Sequence, residues 1–402
     1  MQAFHRKYGV PLVRKIHQKA LGYLKVHNPI PPKLPPAPLP VLAPSARAPV
    51  FALHSGTTAQ AGGLNHVEPW IPLFREAGFE FIVIARSPDL YHAIRQAHPD
   101  VSVCLARKVE DTDTIVRAYP SLRAFFYVSN AINNAHFQRC ATARHISLGH
   151  GDSDKSSSMT RIFKVYDEIF VAGQAHIDRF EHASFDTSAL RFRIVGRPGT
   201  PAMPRAAKDS RPTSITYLPT WEGIYAEQQY SSLAMARDVL GTALRSGLPV
   251  NAKLHPATGA FDARWKDAER AIGQALDGVS GNRLTFIDRS VKVGELLASG
   301  TLYICDVSAV VSDCLSTGAP IFVYMPPDGH VHISSGRMSY GDYAYTFSTP
   351  EELSLKLLDV LDGNDPLAPA RAEAVEYFIS PASAGDRAFE KALRELAGHA
   401  PA

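Results

Sequence analysis

From Val50 onward the chain alternates between short apolar runs and longer segments whose apolar positions recur every three or four residues. The runs VFALHSG, FEFIVIAR, VSVCLA, RAFFYVSN, RHISLGHG, EIFVAG and RFRIVG are short and rich in β-branched and aromatic residues, and they predict strands. Between them VEPWIPLFREAG, LYHAIRQAH, SSMTRIFKVYD and AHIDRFEHA predict helices. A second series follows, in which SITYLPT, VNAKLHP, LTFID, TLYICD and PIFVYMP alternate with ARDVLGTALRSG, ARWKDAERAIGQAL, KVGELLASG and VVSDCLSTG. Alternation of this kind predicts an α/β protein, with parallel sheets carrying helices on both faces. The two series are interrupted from Pro198 to Pro212 by an aperiodic stretch rich in Pro, Arg and Ala. That break predicts two Rossmann-like domains, 50–200 and 201–402. Two final helical segments, near 366–378 and 385–397, could cap either one.

The first 49 residues follow a different pattern. Drawn as a helix beginning near Pro11, residues 1–27 place Leu12, Val13, Ile16, Ala20, Tyr23 and Leu24 on one face. Arg14, Lys15, Lys19 and Lys25 occupy the rest of the circumference. Such a basic amphipathic arm suits an anionic membrane surface, and equally suits packing on the body with its charges solvated. Residues 28–49 read as a linker: nine of the twenty-one residues from Pro29 to Pro49 are proline. Polyproline II is the expected state, reaching on the order of 65 Å at about 3.1 Å per residue.

At 402 residues, 45% hydrophobic and 20% charged, the chain is long enough for two globular cores. It shows neither a signal peptide nor an apolar run long enough to span a bilayer, so a cytoplasmic location is expected, peripheral at the inner face of the membrane if the arm binds lipid. The net charge of +3 divides unevenly: residues 1–27 contribute six basic and no acidic residues, leaving −3 for the rest. A mildly acidic body argues against nucleic acid as a partner. Cys104, Cys140, Cys305 and Cys314 form no CxxC pair, so neither a zinc site nor a disulfide framework is expected. The DTD at 111–113 looks like a metal-binding DxD but opens a predicted helix, where capping accounts for it.

In open parallel sheets ligands gather at the carboxyl ends of strands, and several polar clusters fall there. RHISLGHG ends at His150-Gly151, followed by Asp152 and Lys155; an imidazole at such an end is a candidate general base, or simply a loop histidine. In the second series Pro219-Thr220-Trp221-Glu222 follows one strand, and Lys253, His255 and Pro256 follow the next. TLYICD then ends at Asp306, with Ser308 before a helix starting at about Ala309 and Asp313 within it. A helix start with a hydroxyl can hold a diphosphate, although the same signature belongs to an ordinary cap.

Taken in order, HGxxxK, VGRP, PTW, LHP and DxSxxxxD, followed by an apolar strand starting at Pro320, resemble the CDP-glycerol glycerophosphotransferase family of teichoic acid and capsule polymer enzymes. The residues concerned are His150, Gly151 and Lys155; Gly196 and Pro198; Tyr217, Pro219, Thr220 and Trp221; His255 and Pro256; Asp306, Ser308 and Asp313. GRMSYGDYAYTF, from Gly336, is similar to a further family segment, and the resemblance covers about residues 120–395. Two departures stand out. The family's threonine-proline after histidine-glycine is replaced by Asp152-Ser153, and Val307 and Ala309 stand where the family has tyrosine and serine.

The resemblance implies a GT-B-like fold, with an acceptor domain at 50–200 and a CDP-donor domain at 201–402. It implies attack by a hydroxyl of a lipid-linked or oligosaccharide acceptor on the β-phosphorus of a CDP-activated polyol, with CMP leaving. His150 is then the base and His255 a phosphate donor. Arg197, Thr220, Lys253, Asp306, Ser308 and Asp313 lie on the donor side, with Glu222 as another partner for a hydroxyl, and Gly151, Asp152 and Lys155 on the acceptor side. No metal and no cofactor is implied. Two rival readings remain open: a GT-B glycosyltransferase using a CMP- or UDP-sugar, and a non-catalytic scaffold of a polymer assembly complex.

Overall fold

The computed structural model describes residues 48–398 except 61, 150–152, 156–158, 199–210, 224–228, 298–300, 328–330, 334–335 and 381–386. The basic arm and most of the proline-rich linker lie outside the described residues.

Two parallel sheets organise the chain. The first contains β1 (Phe51–Ser55), β2 (Phe81–Ala85), β3 (Val103–Leu105), β4 (Ala124–Tyr127), β5 (Arg144–Ser147), β6 (Glu168–Val171) and β7 (Phe192–Ile194), in the order β3-β2-β1-β4-β5-β6-β7. The second contains β8 (Ser214–Leu218), β9 (Val250–Ala252), β10 (Leu284–Phe286), β11 (Thr301–Asp306), β12 (Ile321–Tyr324) and β13 (Tyr345–Phe347), in the order β10-β9-β8-β11-β12-β13. All twelve predicted runs are strands, and β1, β3, β4, β11 and β12 are buried along their whole length, as expected for strands covered by helices on both faces. In each sheet the order reverses around one strand, β1 between β2 and β4, and β8 between β9 and β11. Crevices open outside the carboxyl ends of strands at such reversals.

The helices depart more from expectation. VEPWIPLFREAG, residues 67–78, gives a shorter helix than expected, Ile71–Glu76, with Pro72 in its first turn, and a separate short helix, Gly63–Val67, ends at its first residue. SSMTRIFKVYD gives only a 3-10 turn, Arg161–Val165, because Phe163 and Tyr166 are drawn into the core and fix a tighter path. KVGELLASG likewise forms a 3-10 turn, Val293–Leu296. The sequence did not signal β13 or the helix Pro350–Leu361, which has proline at its start and Thr349 accepting from the Glu352 N–H at 3.3 Å. Within DTD, Asp111 accepts from the backbone N–H groups of Arg107 and Lys108, both at 2.8 Å, while Asp113 pairs with Arg139. Both carboxylates therefore do helix and surface work.

The final helices return across the molecule. Ala368–Ile379 buries Ala374, Tyr377 and Phe378 in a cluster shared with the second sheet, and Tyr377 donates to Asp178 Oδ2 at 2.6 Å. Ala388–Gly398 lies in the core of the first sheet, where Phe389, Leu393 and Leu396 join Trp70, Phe74 and Phe126. No helix among the described residues is long and apolar enough to cross a membrane.

Candidate functional site

A cavity of about 1140 Å³ lies where the two reversals face each other. Its first wall includes Thr57 beyond β1, Ser129 and Asn130 beyond β4, and Ser147 and Gly149 at the end of β5. Its second wall includes Thr220 and Trp221 beyond β8, Lys253 and His255 beyond β9, and Ser308 and Asp313 beyond β11. The clusters that the sequence singles out at separate strand ends thus come together across one cleft. Gly149 turns the chain at φ 68°, a left-handed conformation that favours glycine. His150, Gly151 and Asp152 follow it and lie outside the described residues.

Lys155 bridges the two walls. Its backbone pairs with Ile333 in an isolated antiparallel bridge, and its Nζ donates to Thr220 Oγ1 at 3.1 Å above the Tyr230 ring. The neighbouring Asp154 makes a buried ion pair with Arg179 at 2.6 Å, which anchors the segment. Expected on the acceptor side, the ammonium therefore reaches the second wall. Burial lowers its pKa to about 8, opposed by the charge of Asp306.

His255 is set up as a neutral donor. Its Nδ1 accepts from the Ala257 N–H at 3.0 Å, which leaves the proton on Nε2. Burial, then Lys155, Lys253 and Arg289, depress its pKa to about 4. The ring consequently stays neutral from pH 5 to 8 and can donate to a phosphate oxygen without carrying charge. If it does so, His255→Ala weakens binding of a nucleotide phosphate by about tenfold, and by the same factor at pH 6 and pH 8. A titration of nucleoside monophosphate affinity at both pH values checks this, and a loss confined to pH 6 would show a charged ring instead.

Lys253 is buried and donates to the Arg289 carbonyl at 3.2 Å. Arg289, which the sequence reading did not single out, lines the cavity while donating to Glu269 and to the Thr258 carbonyl, both at 2.7 Å. Lys292, also overlooked, lines the same wall. Both follow β10 in DRSVK, and a basic pair directly beyond a parallel strand is the signal that could have found them.

Several expected ligand residues hold protein partners. Arg197 pairs with Asp313 at 2.7 Å, so neither side chain faces the cavity unengaged. Glu222 accepts from the backbone N–H groups of Gly259, Phe261 and Asp262, and thereby fixes the loop before the Ala263–Trp265 turn. Ser308 occupies the position before the helix Ala309–Leu315, as expected, but its hydroxyl donates to the Asp306 carbonyl at 3.2 Å and caps no helix N–H. Tyr217 is fully buried and bonds Ser232.

Asp306 is fully buried beneath the cavity, where Oδ2 accepts from the Thr220 N–H at 2.7 Å and the Ser232 N–H at 3.1 Å. It braces the loops that carry Thr220. Burial raises its pKa to about 7, so the folded protein holds a proton there that the unfolded chain releases near pH 4. Relative to Asp306→Asn, wild-type stability therefore falls as pH rises from about 4 to 7 and runs parallel above. Asp306→Ala, which leaves both N–H groups without their acceptor, should cost about 2–3 kcal/mol. Urea unfolding at pH 5 and 8 measures both effects; parallel curves for wild type and the Asn variant would rule out the buried proton.

Two facing sheets of parallel strands with a cleft at their carboxyl ends, and a final helix that returns to the first, define the GT-B fold. Among solved structures this chain is similar to a glycosyltransferase from Rickettsia africae, at TM-score 0.56 and 11% identity over 87% of this chain and 98% of that one. It is also similar to Anabaena HepE, solved in complex with UDP and glucose, at TM-score 0.54 and 12% identity over 86% and 100%. A third neighbour is the wall teichoic acid polymerase TagF, at TM-score 0.54 and 14% identity over 87% and 88%. No protein-family model and no curated protein sequence matches the chain.

Proposed function

We propose that this protein is a transferase that moves a glycerol-phosphate or related polyol-phosphate group from a CDP-activated donor to a hydroxyl of a surface polymer, releasing CMP. The observation that carries the reading is the grouping of Lys155, Lys253 and Arg289 around His255 at the β8–β11 reversal, in the motif order of the glycerophosphotransferases. A diphosphate bears charge that grows on the leaving phosphate, and Lys155 and Lys253, with Arg289 held beside them by Glu269 and a neutral N–H donor from His255, suit that need. The acceptor oxygen bonds to the β-phosphorus, the bond from that phosphorus to the bridging oxygen breaks, and CMP keeps the electron pair. His150 is proposed to take the hydroxyl proton. Domain limits of 50–200 and 201–402, with the helix Ala388–Gly398 returning to the first, suit an acceptor wall and a donor wall. Residues 1–27 are proposed to hold the enzyme at an anionic membrane surface, near a lipid-linked acceptor.

Incubation with CDP-glycerol, CDP-ribitol, and CMP- and UDP-sugars tests the reading by nucleotide release. CMP from a CDP-polyol is expected. Release from a nucleotide sugar alone would replace the reading with a glycosyltransferase, the activity named for the Rickettsia neighbour.

A further inference from the structure

The chain passes between the two sheets twice, after β7 and after the helix Ala368–Ile379. The two crossings lie side by side, since a Cβ on Gly196 would stand 3.2 Å from the Ser380 carbonyl oxygen. The Tyr377 bond to Asp178 lies in the same region, and the helix that carries Tyr377 packs with Ile321 and Val323 of β12. The crossings therefore gather at the β6–β7 edge of the first sheet and the β12 side of the second. From there contacts span the cleft in turn. Arg197 meets Asp313 beyond β11, and Lys155 meets Thr220 beyond β8. Farthest out, Lys292 beyond the edge strand β10 meets Glu68, with Nζ 2.6 Å from Oε2. His98, at the end of the helix Pro88–Ala97, holds Oε1 of Glu68 at 3.3 Å. Oε2 has no aligned hydrogen-bond donor, so the attraction at this edge is one of charge, and Lys292 is half exposed.

We infer that the Glu68–Lys292 pair is a latch on the free edge of the cleft, and that it governs how fast a nucleotide enters and leaves. Rotation of one sheet against the other about the crossings moves the far edge most, so this pair separates at the smallest opening. The Arg197–Asp313 pair, nearer the crossings, moves less. Glu68 and Lys292 both line the cavity, so their separation widens it. An ion pair this exposed is weak, which suits a contact that must break in every cycle, and it should change the closed fraction by about two- to fivefold. The latch itself stands on the contact; its effect on a nucleotide rests on the proposed function.

The test uses the full-length protein in a Cys140→Ser background, which removes the cysteine that is not buried. Fluorophores are placed at Ala118→Cys and Val279→Cys, exposed positions on the helices that follow β3 and precede β10. Without ligand, Glu68→Lys, which opposes two ammonium groups, should lower energy transfer, and the exchange Glu68→Lys with Lys292→Glu should restore it. Unchanged transfer in Glu68→Lys, or an exchange variant as open as the single one, would overturn the latch. CMP association and dissociation are then followed by stopped-flow fluorescence in unlabelled protein. Glu68→Gln should raise both rates by about two- to fivefold and leave their ratio within about twofold, because bound and free protein open through the same edge. Slower dissociation with tighter binding would make Glu68 a competitor for Lys292 instead of a latch, and unmoved rates would equally refute control of entry. Absence of CMP binding to the wild type would sink the proposed function, while energy transfer would still decide the latch.

Discussion

Lys155→Met should lower kcat/KM for the CDP-activated donor by about 10² to 10³, the usual loss when a preorganised charge is removed from a developing anion. The expectation follows from where the ammonium sits. It reaches Thr220 across the cleft, over the Tyr230 ring, and Asp154 with Arg179 holds its backbone. Methionine keeps most of the volume and removes the charge together with its hydrogen bond to Thr220. A pH profile separates this role from a structural one. With its pKa lowered to about 8, Lys155 loses its proton above that pH, so wild-type kcat/KM should fall about tenfold per unit on the alkaline side. Lys155→Arg, charged throughout, should lack that limb whatever its absolute rate. A Met variant within fivefold of wild type, or an Arg variant with the same alkaline limb, would remove Lys155 from the chemistry.

Why this residue was legible, and others were not, is a matter of what spacing can carry. Strands buried on both faces announce themselves as unbroken apolar runs, which is why β1 and β11 could be placed within a residue or two. β13 is three residues long and sits amid tyrosines that also suit a turn, so nothing in its pattern distinguished it. The helices that failed, SSMTRIFKVYD above all, have the right periodicity, but Phe163 and Tyr166 find burial without a full α-turn. At the site, strand ends marked Thr220, Lys253, His255 and Ser308, since parallel topology puts such positions on one side of the sheet. What those positions bond to depends on chain segments far apart in sequence. No local pattern could show that Arg197 would be met by Asp313, that Glu222 would tie a loop, or that Asp306 would lie beneath the cavity as a brace. The same limit hid Arg289 and Lys292, whose strand, β10, is itself only partly buried.

Phe389→Ala should destabilise the protein by about 3–5 kcal/mol, a large share of the 5–15 kcal/mol typical of a folded domain. Phe389 is 5% exposed, and its ring centroid lies 5.4 Å from that of Trp70 and 5.3 Å from that of Phe74, with Phe126 and Phe170 within 6.4 Å. Alanine there opens a cavity among four aromatic rings whose positions β4, β6 and the helix Ile71–Glu76 fix, so little collapse can fill it. The helix Ala388–Gly398 that carries Phe389 comes at the end of the chain yet completes the first core, with Arg193 and Glu395 pairing beside it. The damage should accordingly stay on the first side of the cleft. Urea unfolding is expected to show an early transition, while CMP affinity in the folded baseline remains near wild type because the second wall draws nothing from this helix. A loss below about 1 kcal/mol would mean that the helix does not seal the first core. A parallel loss of CMP affinity would mean that the two sheets unfold as one unit, coupled through the helix Ala368–Ile379 and the Tyr377–Asp178 bond.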